Sequence, residues 1–162
     1  MKAVLLIDHG SVREAANRML ECVASLVQQM AGDAVVVKFA HMELAEPTIT
    51  QGFAECVRAG ATEVVAFPYM LSPGKHSTRD IPRMVEAAAR EHPGVAFQIT
   101  PAFGVHEKLA EVVLERARVE TRVSSPATSE RCCMRPAGTP ERYCGEACRE
   151  AIETSQHAGS TV

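Results

Sequence analysis

Histidines recur at one kind of place in this chain. His9 stands in Asp8-His9-Gly10-Ser11, directly after an apolar run; His41, His76 and His106 stand in HMELAE, SPGKHS and FGVH, each after a further apolar run. Glu43 and Glu46 share the second of these stretches. Neutral imidazole and carboxylate are ligands of first-row divalent metals, and imidazole also takes up protons near physiological pH. His9, Glu43 and His76 would supply two imidazoles and one carboxylate with coordination positions left open. One such histidine is ordinarily structural, but recurrence on successive loops points to a shared site.

The elements that must position these residues follow a simple rhythm. Short aliphatic runs at 3–7, 34–40, 63–69 and 95–100 read as strands. Helix-like segments follow at 13–30, 49–59, 81–91 and 107–119, with Pro47 and Thr48 suiting the start of the second and the stretch MLSPGKHSTRD reading as a long loop. In the first helix, Ala16, Met19, Leu20, Val23, Leu26 and Val27 share one face, and Cys22 and Cys56 read as buried free thiols. Four βα units with continuous apolar strands imply a four-stranded parallel sheet with helices on both faces, an α/β, flavodoxin-like fold. Ligands of such a sheet bind outside the carboxyl ends of the strands, where the histidines fall. Ser11 and Asp80 are candidate helix caps. Glu46 reads as a loop buttress or cap before Pro47, and His41 and His106 as residues near the rim with a structural role. His92 and His157 read as incidental.

Composition narrows the function. Of 162 residues, 46% are apolar, enough for a core, and the net charge is −3 without a basic block, which argues against nucleic acid. Aromatics make up 4% with no Trp, so base-stacking platforms are not expected. No run reaches the roughly 20 apolar residues of a membrane helix, and MKAVLLIDHGS reads as a first strand rather than a signal peptide. The chain reads as soluble and intracellular. SPGKHST lacks the spacing of a P-loop, and GxGxxG and GxSxG are absent.

Taken together, IDHGS at 7–11, HMELAEPTI at 41–49 and PGKHSTRDIP at 73–82 resemble the small sirohydrochlorin chelatases, the CbiX/SirB type of class II chelatase. The resemblance runs from residue 1 to about residue 118, in order and at matching spacing, and ELAEP combined with PGxHxxxDIP is far more specific than any lone motif. It implies a lyase domain at 1–120 that inserts Fe2+ into sirohydrochlorin to give siroheme. Insertion of Co2+ on the way to cobalamin, or of Ni2+, is the alternative. Carried over residue by residue, His9, Glu43 and His76 bind the metal and accept pyrrole protons. Gly10 and Ser11 through their N–H groups, with Lys75 and Arg79, are candidates for the substrate's carboxylates. Family members commonly continue IDHGS with Arg, whereas Val12 stands here and Arg13 follows. Short members pair as homodimers. A cytoplasmic enzyme is the simplest expectation, with a plastid stroma as the alternative if a transit peptide has been removed.

Residues 121–162 change texture, being polar and rich in Ser, Thr and Pro, and read as a flexible extension. They hold Cys132, Cys133, Cys144 and Cys148. Some family members bind an iron–sulfur cluster through such extensions, and four thiolates would suffice for a cluster or for zinc; a redox disulfide or no bound metal stays open. Two further readings of the whole chain are a non-catalytic tetrapyrrole or metal carrier and a flavodoxin-like electron carrier, the latter weakened by scarce aromatics and the lack of a phosphate cradle.

Overall fold

A computed structural model describes residues 1–120; the four clustered cysteines and His157 lie outside the described residues. The strands are β1 (Lys2–Asp8), β2 (Val35–His41), β3 (Glu63–Pro68) and β4 (Ala96–Ile99). The helices are α1 (Glu14–Ala31), α2 (Ile49–Arg58), α3 (Ile81–Arg90) and α4 (Glu107–Arg116). Each strand lies within two residues of its sequence expectation at either end. The chain divides into two units, Met1–Phe103 and a second from Gly104 that contains α4.

All strand pairs are parallel, in the order β2-β1-β3-β4. This is the flavodoxin-like order, whose topological switch point lies between β1 and β3. Period-2 alternation along β1 sorts its side chains between two cores. Ala3, Leu5 and Ile7 pack with Phe53 and Cys56 of α2 and with Ile81 and Val85 of α3. Leu6, joined by Val4, packs on the other face with Leu20 and Ala24 of α1 and Val37 of β2. The sheet is therefore covered by helices on both faces, as expected. At Gly52 of α2 an added Cβ would stand 2.9 Å from both Ala40 Cβ and Leu5 Cδ1, so this glycine lets α2 approach the sheet closely.

Two expectations about the first helix are corrected. Its buried residues are Leu20 and Ala24, with Val23 and Val27 partly covered, while Ala16, Met19 and Leu26 are exposed. Cys22 is likewise exposed, and Cys56 alone of this pair is buried. The apolar arc of α1 is wider than the strip the sheet can cover, so Met19, Cys22, Leu26 and Met30 form a second stripe facing outward. Burial pushes the Cys56 thiol up to about 12, against the nearby Lys38 charge. The segment expected to be a loop before α3 is also ordered: His76–Asp80 forms a π-helical turn running straight into Ile81. Such turns are frequent at functional sites.

Candidate active site

Register brings the first two loops together. Asp8 and His41 are paired ends of β1 and β2, and the crossing continues beyond them. The Met42 N–H donates to the Asp8 carbonyl at 2.9 Å and the Glu43 N–H to the His9 carbonyl at 3.1 Å. This close approach dictates the glycine of HGS. Gly10 has φ +82°, and a Cβ there would lie 1.9 Å from the Glu43 carbonyl oxygen. As a result His9 Nε2 stands 2.8 Å from Glu43 Oε1, at an open rim where both side chains are about half exposed.

His76 arrives from beyond β3, with its ring centroid 5.1 Å from that of His9 and the planes at 72°. Its turn is fastened by one carbonyl. Gly74 O accepts from Thr78 N at 2.9 Å, Thr78 Oγ1 at 2.8 Å and Ser77 Oγ at 3.1 Å. One turn on, Asp80 Oδ2 holds His76 Nδ1 at 3.1 Å, and Asp80 Oδ1 accepts from Arg79 Nε at 3.1 Å. Desolvation at Asp80 opposes its charge, but the hydrogen bonds from Arg79 and His76 and the positive charges of Arg79 and Lys75 outweigh it, so the carboxyl is held below its ordinary value of 3.8. The bond through Nδ1 orients His76 and leaves Nε2 as the ring nitrogen for a substrate.

The three residues singled out from the sequence thus come together, although among the described residues no trio of His, Cys, Asp or Glu is arranged to hold a metal ion. His9 Nε2 lies within hydrogen-bond distance of Glu43 Oε1, so the nitrogen that a metal would take is engaged with a carboxylate. The site gathers potential ligands and proton acceptors on one open rim. A hollow of about 890 Å³ does exist elsewhere, beside Lys38, Glu46 and Arg58, but neither His9 nor His76 lines it.

Other expected residues fall as follows. Ser11 does not cap α1: the helix starts from Arg13 without a side-chain cap, and Ser11 Oγ accepts instead from Arg13 N at 3.1 Å. Asp80 does not cap α3, because its backbone is already helical and its carboxylate faces His76 and Arg79. The cap of α2 is Thr48, reciprocally bonded to Gln51, and Glu46 lies 3.5 Å from the Gln51 amide. Lys75 is exposed beside the turn, Arg79 is partly committed to Asp80, and Val12 and Arg13 are exposed. His106 belongs to the second unit, where its ring caps α4 by accepting from Lys108 N. His92, expected to be incidental, stacks on Phe53 at 5.7 Å.

Sequence reasoning missed Asn17, one turn into α1, which clamps Ser11 from both sides: its Oδ1 accepts from Ser11 N and its Nδ2 donates to Ser11 O, both at 2.8 Å. It also missed the pairing of Asp8 with His41. An Asn near a helix start was the available signal for the first, and strand register for the second.

The chain as a whole is similar to known proteins. The CbiX family model matches residues 3–120. The chain belongs to the CbiX family. It is 42% identical over 113 residues to the chloroplastic sirohydrochlorin ferrochelatase of Arabidopsis thaliana, covering 70% of this chain and 50% of that protein. To a sirohydrochlorin cobaltochelatase of Priestia megaterium it is 33% identical over 116 residues, covering 72% of this chain and 37% of that one. The sirohydrochlorin chelatase SirB of Bacillus subtilis subspecies spizizenii, solved in complex with cobalt, superposes with a TM-score of 0.66 at 28% identity, over 72% of this chain and 50% of SirB. The chain thus spans half or less of the length of these relatives.

Proposed function

We propose that this protein is a sirohydrochlorin ferrochelatase of the lyase class, exchanging two pyrrole N–H protons of sirohydrochlorin for Fe2+ and releasing both. The observation that carries the reading is the convergence of His9, Glu43 and His76 from three separate loops onto one open rim. The 42% identity to a ferrochelatase supports iron as the metal. Each residue has a chemical task. Glu43 and His9, in contact at 2.8 Å, share the tasks of holding the dication and accepting the two pyrrole protons, each proton going to a basic atom that does not bind the metal. His76, oriented by Asp80, offers Nε2 from the other side. Lys75 and Arg79 are the cations beside the turn that meet the carboxylates of the macrocycle, whereas the expected N–H donors Gly10 and Ser11 are taken up within the protein, by Asp8 Oδ1 at 2.9 Å and Asn17 Oδ1 at 2.8 Å. The second reading, cobalt insertion, is favoured by the cobaltochelatase relative and the cobalt complex of SirB, since imidazole and carboxylate suit Co2+ as well as Fe2+.

We place the enzyme in the cytoplasm, with the plastid stroma as the alternative suggested by the Arabidopsis relative. Pairing as a homodimer is supported by the exposed stripe of Met19, Leu26 and Met30 on α1, and sedimentation reads it directly. The deciding experiment is anaerobic conversion of sirohydrochlorin followed by absorbance, with Fe2+, Co2+ and Ni2+ in parallel. It compares the wild type with His9→Ala and His76→Ala after subtraction of non-enzymatic rates. Turnover fastest with Fe2+, and reduced about 10²–10⁴-fold by either substitution, is expected. Stoichiometric binding without turnover would instead make the protein a carrier.

A further inference from the structure

Directly behind His9 and Glu43 lies a second histidine–carboxylate pair. His41 is completely buried at the end of β2, and its Nδ1–H donates to Asp8 Oδ1 at 2.6 Å. The same oxygen accepts the Gly10 N–H at 2.9 Å. Among the described residues His41 Nε2 has no hydrogen-bond partner. The ring continues the column Val35, Val37, Phe39 on the α1-facing side of β2, and the edge of Phe39 packs against it at 5.8 Å. Burying a polar atom without a partner is costly, and an aliphatic side chain would avoid that cost. What the histidine adds is a rigid donor that reaches across to the neighbouring strand.

We infer that His41 and Asp8 are positioning residues that hold His9 at bonding distance from Glu43. The chain of contacts is continuous. His41, anchored through its own N–H to Pro47 O at 2.8 Å, fixes the Asp8 carboxylate. That carboxylate fixes the Gly10 N–H, and so the direction in which the chain leaves His9. The partner loop is bound at the same crossing by the Glu43 N–H to His9 O bond. Without the clamp, the left-handed turn at Gly10 loses the acceptor that sets it, and the imidazole of His9 loses its fixed aim. Misplacement of about an ångström costs up to about 10²-fold in rate.

This inference rests on the chelatase reading, and its test separates the two. Kinetics of Fe2+ insertion are measured for the wild type, His41→Leu and His41→Asn, together with melting curves and ¹⁵N NMR of the histidine ring nitrogens. Asn at this position can present an N–H where Nδ1 stands. For His41→Leu we expect kcat to fall at least tenfold while KM for sirohydrochlorin stays within twofold, the His9 Nε2 resonance losing its Glu43-bonded character. His41→Asn should recover most of kcat. Variants that melt earlier but keep the wild-type kcat and His9 resonance would overturn the inference. If the wild type shows no turnover, the chelatase reading fails while the His9 resonance in His41→Leu still decides the positioning role: altered, it stands; unchanged, it falls.

Discussion

Two histidine–carboxylate pairs bridge the same two strand ends, one residue or two apart, and they differ in everything but composition. In His41–Asp8 the imidazole is 1% exposed, the carboxylate 25%, and the contact is 2.6 Å; in His9–Glu43 the two side chains are 44% and 53% exposed at 2.8 Å. An imidazole with no access to water depends on the fixed geometry of its partner. An exposed pair contributes little stability but can exchange its proton with whatever arrives. Side by side, they separate support from chemistry.

The strongest way to break this comparison is to push the two loops apart. Gly10→Ala places a methyl group on the Glu43 carbonyl and forces a left-handed backbone on alanine. It should cost on the order of 3 kcal/mol or more and abolish activity, to be read by urea unfolding and the absorbance assay together. An Ala variant with wild-type stability would mean the crossing is looser than the structure has it.

A smaller effect sharpens the comparison from the third loop. Asp80 is to His76 what Asp8 is to His41, but at the surface. Asp80→Ala should lower kcat/KM for metal insertion roughly tenfold by freeing the ring, with little change in melting temperature. The Asp80 carboxyl is held below 3.8 by Arg79 and His76, so the stability it contributes is present above 3.8 and is lost only as the pH falls below that value. His76 should therefore keep its partner throughout a pH 5–8 activity profile, and a loss of activity that tracks Asp80 in this range would contradict the assignment.

The effect that touches activity least lies in the core and leaves both pairs alone. The Cys56 thiol, with its ordinary value of 9.0 raised to about 12, is kept neutral by burial. Its contribution is complete below pH 9; the unfolded chain ionises first above that, so stability falls as pH rises from 9 towards 12, by up to about 1.4 kcal/mol per unit. Mass-mapped alkylation at pH 8 should accordingly modify Cys22 and spare Cys56, and unfolding in mild alkali should lose its steep pH dependence in Cys56→Ala.

Much of this was legible in the sequence. The aliphatic runs 3–7 and 34–40 could only be strands buried on both faces, and four of them separated by helical segments leave a parallel sheet as the economical solution. His9, Glu43 and His76 could be assembled because in such a sheet all three loops must emerge at one edge. The Asp8–His41 clamp was not legible, because it depends on register, and a shift of one residue would have turned His41 to the other face. The helical turn at His76–Asp80 was hidden by Pro73 and Gly74, which punctuate the chain just before it. On α1, Met19 and Leu26 fitted the apolar spacing as well as Leu20 and Val23 did, and spacing alone does not say how wide a strip the sheet will cover.

The strand order carries one more consequence. β1 is hydrogen-bonded on both sides, to β2 and to β3, so the backbone amides leading to His9 can exchange with solvent only when the central sheet opens. The turn bearing His76 closes on itself instead: Gly74 O accepts from Thr78 and Ser77, the Gly74 N–H donates back to Ser77 Oγ, and Asp80 holds the ring. These bonds join near neighbours in the chain, so breaking them does not require unzipping the sheet. One imidazole is thus anchored by long-range strand pairing and the other by a local knot.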